Sequence, residues 1–271
     1  MPVSALTRKN IPGLGVLSAL PRRKIGRAMA EYDMLADGDR VLVAVSGGID
    51  SLVLARVLHL WRQRAPIDYT LRCVHVDMQA VGDGIPGPVA AEVKGLLADM
   101  GLVCDILPAN WQPERLDTGA AAGKDVCFQC SRNRRTLLFD HARRNGFDLL
   151  ALGHHRDDII ETFFLNLTRA GNLSTMLPRQ DLFSGRLSLV RPLAYLSKDE
   201  VEELGQLFSL TPVRSQCPLS EQTSRRQVQK AIAAMETHLP DARSTIFAAL
   251  ANLRPDYLLD ARYRRSHADR A

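Results

Sequence analysis

The stretch RVLVAVS (40–46) is a continuous apolar, β-branched run, the mark of a strand buried on both faces of a parallel sheet. Gly47 and Gly48 follow at once, and DSLVLARVLHLWRQR (50–64) then reads as a helix with Leu52, Ala55, Leu58 and Trp61 on one stripe. The alternation continues along the chain. TLRCVHVD (70–77), LVCDIL (102–107), DLLALG (148–153) and LSLVRPLA (187–194) read as further strands. Helices are expected over 22–35, 86–101, Cys127–Asn145 and from Asp157 onwards, with Asp157 or Asp158 as the cap. A Ser197–Glu200 capping box opens another. This pattern predicts an α/β fold: a doubly wound, mainly parallel five-stranded sheet with a C-terminal helical extension. Ligands of such sheets sit beyond the carboxyl ends of the strands, where the winding reverses. The loops after the first and fourth strands are the two most unusual in the sequence.

Three segments are expected: a basic arm (1–21), the α/β domain (22–214), and a C-terminal helical segment (215–271) with helices over 221–238 and 241–253 and a basic tail. Thirty-five Lys and Arg against 30 Asp and Glu leave a net charge of +5, unevenly spread. Residues 1–30 hold Arg8, Lys9, Arg22, Arg23, Lys24 and Arg27 without an acid, and 131–144 hold five arginines against Asp140 alone. Such clusters suit a polyanion, or form a solvated basic face. No apolar run approaches the ~20 residues of a spanning helix. Five cysteines, an odd number, argue against a secreted disulfide framework. A cytoplasmic protein without membrane attachment is expected.

Ser46-Gly47-Gly48-Ile49-Asp50-Ser51 joins the first strand to its helix. Two glycines permit positive φ and close backbone approach, and the helix aims N–H groups and its dipole at the loop, which favours phosphate. Ser46 and Ser51 add hydroxyls, and Asp50 can hold a metal or orient water. A plain tight turn is the structural alternative. Gly153-His154-His155-Arg156-Asp157-Asp158 follows the fourth strand, and one aspartate suffices as a helix cap. The second aspartate, the histidines and Arg156 are left for chemistry: carboxylates to hold Mg²⁺ against a triphosphate, and a cation to balance charge on the α-phosphate.

Cys127-Phe128-Gln129-Cys130 places two thiols at a helix start, where thiolates are stabilised. Cys217 lies far along the chain in SQCPLS, with Ser220 where a second CxxC would end. Three thiolates suit a [4Fe–4S] cluster with one open iron; zinc with a borrowed histidine and a redox dithiol stay open on spacing alone. Cys73 and Cys104, inside apolar strands, read as small core residues.

In order, SGGIDS, VHVDMQ, CFQCSRNRR, GHHRDDIIETFFLNL, RPLAYLSKDEVE and Cys217 resemble the tRNA 2-thiocytidine synthetase (TtcA) family. That family belongs to the TtcA/TtuA group of PP-loop ATP pyrophosphatase sulfurtransferases. The resemblance runs from about residue 22 to Asp260, and Cys127–Leu167 is its most specific part. It implies a HUP-like PP-loop fold. It implies that Ser46, Gly47, Gly48, Asp50, Ser51 and His154 bind ATP with Mg²⁺, that Asp50 and Asp157 are the catalytic carboxylates, and that Cys127, Cys130 and Cys217 ligate a [4Fe–4S] cluster. Arg132, Arg134 and Arg135 are expected to touch tRNA or the nucleotide. The implied reaction adenylates the C2 oxygen of a cytidine, position 32 of the anticodon loop, and exchanges it for sulfur. The implied partners are tRNA and a sulfur donor such as a cysteine desulfurase, with a homodimer as a compatible assembly. The chain departs from the family's SGGKDS at Ile49, and from its second CxxC at Ser220. Two rival readings are another tRNA-modifying PP-loop enzyme (uridine thiolation or lysidine-type ligation) and a zinc-stabilised ATP- and RNA-binding module.

Overall fold

The structure, a computed structural model, describes residues 19–79, 85–109, 122–213 and 224–259. The described chain divides into two compact units, one from residues within Met1–Ile159 and Met176–Thr223, the other from residues within Ile160–Thr175 and Ser224–Ala271.

The first unit holds a sheet of β1 (Arg40–Ala44), β2 (Thr70–Asp77), β3 (Cys104–Pro108), β4 (Leu149–Ala151), β5 (Arg179–Leu182) and β6 (Leu187–Val190), in the order β3-β2-β1-β4-β6-β5. Every pairing is parallel except that of β5 with β6, which are antiparallel. The sheet therefore has six strands where the sequence suggested five. The added strand, Arg-Gln-Asp-Leu, is a polar, half-exposed edge strand with one neighbour. Burial on a single side leaves no apolar run to read. The winding reverses between β1 and β4, as expected of a doubly wound sheet.

Alternating strand residues feed two apolar layers. Val41, Val43, Cys73, Cys104, Leu149, Ala151 and Val190 face one side, where they meet buried residues of α1 (Ala19–Glu31), α2 (Ile49–Arg62), α3 (Pro88–Asp99) and α6 (Lys198–Leu207). Leu42, Val74, Val76, Leu150, Leu187 and Leu189 face the other, where Leu138 and Ala142 of α4 (Ala122–Arg144) cover them. The helix expected from Cys127 thus begins earlier, at Ala122, and residues 110–121 lie outside the described residues. Cys73 and Cys104 pair in register on β2 and β3, both buried. Burial pushes the Cys104 thiol up to about 11 and that of Cys73 further still. Both are core residues, as their setting suggested.

The basic N-terminal segment partly serves packing. Lys24 Nζ lies 2.6 Å from Glu200 Oε1 on α6, and Arg27 pairs with Glu31 on its own helix. In the second unit, Val228 and Ile232 of α7 (Ser224–Glu236) pack with Ile160, Phe164 and Leu165, and with Ile246 and Phe247 of α8 (Ala242–Leu250). No helix among the described residues is long and apolar enough to cross a membrane.

Candidate functional site

The loop from β1 into α2 folds on its own small residues. Ser51 Oγ donates to the Gly48 carbonyl at 2.8 Å and accepts from Ser46 N at 3.1 Å, while Gly48 N reaches Ser46 Oγ at 3.3 Å. Gly47 adopts φ 93°, and a Cβ there would stand 2.9 Å from Val93 Cγ2, so conformation and space both demand glycine. The N-cap of α2 is Gly48, and no side chain caps it. Ser51 N is taken by the Gly48 carbonyl at 3.1 Å, and the uncapped start of α2 faces the loop, an arrangement suited to an anion.

The second loop closes directly on the first. A Cβ on Gly153 would lie 2.9 Å from both C and O of Asp50 and 3.0 Å from Cα of Ser51. Only a glycine lets the end of β4 approach the first turn of α2 this closely. The two loops that stand out in the sequence thus meet at the switch point and touch through their backbones.

α5 runs Arg156–Leu165, so Asp157 and Asp158 are its second and third residues rather than its cap. Asp158 Oδ2 accepts from His155 N at 3.0 Å, closing the first turn from within. Asp157 is buried, and its Oδ2 accepts from Lys198 N at 2.6 Å. Asp50 Oδ1 accepts from Lys198 Nζ at 2.6 Å. His155, also buried, places Nε2 3.3 Å from Asp158 Oδ2 and 3.9 Å from Asp50 Oδ2, and its Nδ1 3.8 Å from Asp157 Oδ2. Asp50 and Asp157, picked from sequence, thus come together. His155 and Lys198, not picked individually, are the groups that join them.

His154, expected to meet ATP, accepts at Nδ1 from Arg191 Nε at 3.3 Å. That bond leaves the ring proton on Nε2. Arg191 is buried, also donates to the Leu177 carbonyl, and has its guanidinium pushed down to about 10 by burial. On β2, Asp77 is fully buried and accepts from Gln79 N at 2.8 Å and Gly87 N at 2.6 Å, a latch on the turn into α3. His75 is buried with Nδ1 2.7 Å from the Val45 carbonyl; burial lowers its pKa and keeps the ring neutral.

α4 carries Cys127, Cys130 and the three predicted arginines. As the crossover into parallel β4 it starts at the carboxyl edge of the sheet, the edge of both loops. Its packing residues Leu138 and Ala142 lie in its second half. Cys130 precedes Leu138 by eight residues, about 12 Å of helix. Cys127 and Cys130 are half-buried and one turn apart, hence on one face. Arg132, Arg134 and Arg135 are exposed beyond them. Cys217 lies outside the described residues, as does Ser220.

Residues 20–236 match the PP-loop domain family. A tRNA-cytidine(32) 2-sulfurtransferase from Pelobacter propionicus is 35% identical over 257 residues, which cover 94% of this chain and 93% of the relative. The chain belongs to the tRNA-cytidine(32) 2-sulfurtransferase family. A further member, from Geobacter sulfurreducens, is 32% identical over 90% of this chain and 93% of its own length. Among solved structures, the U34-tRNA thiolase NcsA from Methanococcus maripaludis, solved with its [4Fe-4S] cluster, superposes with a TM-score of 0.65 at 22% identity, covering 85% of this chain and 77% of that one. That likeness concerns the fold alone.

Proposed function

We propose that this chain is an ATP-dependent tRNA sulfurtransferase that activates the C2 oxygen of cytidine 32 as an adenylate and replaces it with sulfur. The observation that carries this reading is the closure at Gly153, which sets Asp50, Asp157 and two histidines directly beside a glycine loop at a helix N-terminus. Membership of the family supplies the substrate.

ATP binds with its phosphates on the first-turn amides of α2, on Ser46 and over Gly47 and Gly48. Mg²⁺ fits this site, because Asp50 and Asp157 are the hard carboxylate donors it prefers. His154, positioned by the Arg191 hydrogen bond to its Nδ1, is the histidine this reading sets against the α-phosphate. The C2 oxygen of the base attacks the α-phosphorus, and the bond to the bridging oxygen breaks so that pyrophosphate departs with the electron pair. A poor leaving group becomes AMP. Sulfide then attacks C2, the C2–O bond breaks, and AMP leaves with the original oxygen. A base can reach such a pocket only unstacked, which a single-stranded anticodon loop permits.

The thiols fit a [4Fe–4S] cluster. Cys127 and Cys130 share a helix face and are half-buried, in contrast to the buried Cys73 and Cys104. Cys217 is the third ligand of this reading. When bound by three cysteines, such a cluster leaves one iron open to carry sulfide. Arg132, Arg134 and Arg135 extend the same helix into a phosphate-binding surface. The reading places the protein in the cytoplasm, with a cysteine desulfurase upstream as sulfur donor.

The test is incubation of the anaerobically prepared protein with ATP, sulfide and an unmodified tRNA transcript. Release of AMP and pyrophosphate should match formation of 2-thiocytidine at position 32, read by nucleoside mass spectrometry. Absence of tRNA-dependent AMP overturns the proposal.

A further inference from the structure

One residue ties the two aspartates together. Lys198, the first residue of α6, donates its backbone N–H to Asp157 Oδ2 at 2.6 Å and its Nζ to Asp50 Oδ1 at 2.6 Å. It is held there by the complete Ser197–Glu200 capping box, and Glu202 stands 3.7 Å from the ammonium. The Lys198 side chain is 38% exposed, so the ammonium sits at the mouth of the site.

Position 49 is turned to packing instead. Ile49 joins the main apolar cluster and presses on α6, where a Cβ on Gly205 would stand 2.7 Å from its Cγ1. Ser46–Ser51 contains no cation of its own, although a bound triphosphate brings a concentrated negative charge to it. At position 49 this chain has an apolar contact, and on α6 it has a lysine whose ammonium reaches the same loop.

We propose that Lys198 is the cation of the triphosphate site, binding oxygens of the β- and γ-phosphates and then the departing pyrophosphate. The inference rests on the ATP reading given above. Without nucleotide, the ammonium rests on Asp50. With nucleotide, its flexible stem turns it from Asp50 onto the phosphates, where its three donors serve several oxygens at once. As the bond from the α-phosphorus to the bridging oxygen breaks, the charge collecting on pyrophosphate meets an ammonium already in place. Asp50, relieved of its ion pair, is free for Mg²⁺.

Calorimetric titration of the purified protein with ATP, pyrophosphate and AMP tests this. Lys198→Ala should weaken ATP and pyrophosphate by about 10- to 100-fold, the range of a charged hydrogen bond, and leave AMP within about twofold. Lys198→Arg should retain most of the affinity. Adding Ile49→Lys to Lys198→Ala should restore part of it, since the cation returns from the neighbouring helix. Lys198→Met keeps the aliphatic stem and serves as the same test if the alanine variant does not fold. Equal weakening of ATP and AMP, or unchanged ATP affinity, overturns the assignment. If wild-type protein binds AMP and ATP equally, the phosphate cradle itself is refuted along with Lys198. If ATP binds as expected but tRNA-dependent AMP is absent, the proposed function fails while Lys198 stands.

Discussion

Gly153 lies against the backbone of Asp50, so close that a single added methyl would stand 2.9 Å from the Asp50 carbonyl carbon and oxygen. Both contacted atoms are main chain at a helix start and cannot rotate aside. Gly153→Ala must therefore push β4 and α2 apart at the point where the two loops join. Overpacking of this kind costs about 1–3 kcal/mol. The expected outcome is a lower Tm together with a disproportionate fall in AMP formation, by about 100-fold, because a displacement of about 1 Å at a reacting site is worth that much. A variant with a lowered Tm but normal turnover would show that the loops need not touch for catalysis.

The cysteines divide by environment. Cys104, with its thiol pushed up to about 11, and the more deeply buried Cys73 are protonated at neutral pH and shielded from reagents. Cys127 and Cys130 are half-buried on α4. Alkylation of cluster-free native protein at pH 8 should label Cys127 and Cys130 first and reach Cys73 and Cys104 only after unfolding. Reconstitution with iron and sulfide should protect the first pair. Cys127→Ala, Cys130→Ala and Cys217→Ala should each lose the brown colour and thiolation. Labelling unchanged by reconstitution, or full thiolation by any of the three variants, would remove these residues from the cluster.

Much of this was legible because it is local. RVLVAVS followed by Gly47-Gly48 states a buried strand, a tight turn and a helix within 25 residues, and the chain obeys it. The Ser197–Glu200 capping box is likewise a matter of four residues. β5 escaped notice because a polar edge strand buries too little to show a pattern. Lys198 escaped because its partner, Asp50, lies 148 residues away. Sequence spacing identified it only as the first residue of a capped helix. Residues whose role comes from tertiary convergence carry no periodic signal, and His155 among three carboxylates is another.

Asp105 on β3 offers a pH-dependent test of sheet stability. Arg72 donates to both carboxylate oxygens, at 2.5 and 2.7 Å, and His141 of α4 approaches at 3.1 Å. The Arg72 hydrogen bonds, aided by that charge and by His141, hold the Asp105 carboxyl below its ordinary value of 3.8. A folded pKa below the unfolded one means that stability is fully present above pH 3.8 and is lost as pH falls through the lower folded value. Asp105→Asn should thus lower Tm at pH 7, and the gap between variant and wild type should narrow below about pH 4. Thermal melts across pH 3 to 7 read this directly; a gap that persists at pH 3 would assign the effect to shape rather than charge.

The α4 arginines make a quantitative prediction about RNA. Arg132, Arg134 and Arg135 are exposed; Arg135 is engaged by the Ser131 carbonyl at 3.2 Å, and a neutral acceptor of that kind does not cancel its charge. If each arginine contacts one phosphate, replacing all three with glutamine removes three counterion-release events. The slope of log affinity against log salt should then become shallower by about 2 to 3, at roughly 0.7–0.9 per contact. ATP affinity should stay unchanged if the three face RNA alone, and fall if one reaches the nucleotide. Filter binding of an anticodon stem-loop from 50 to 300 mM salt measures the slope. An unchanged slope in the triple variant would move the RNA to another face, because loss of real phosphate contacts cannot leave the salt response intact.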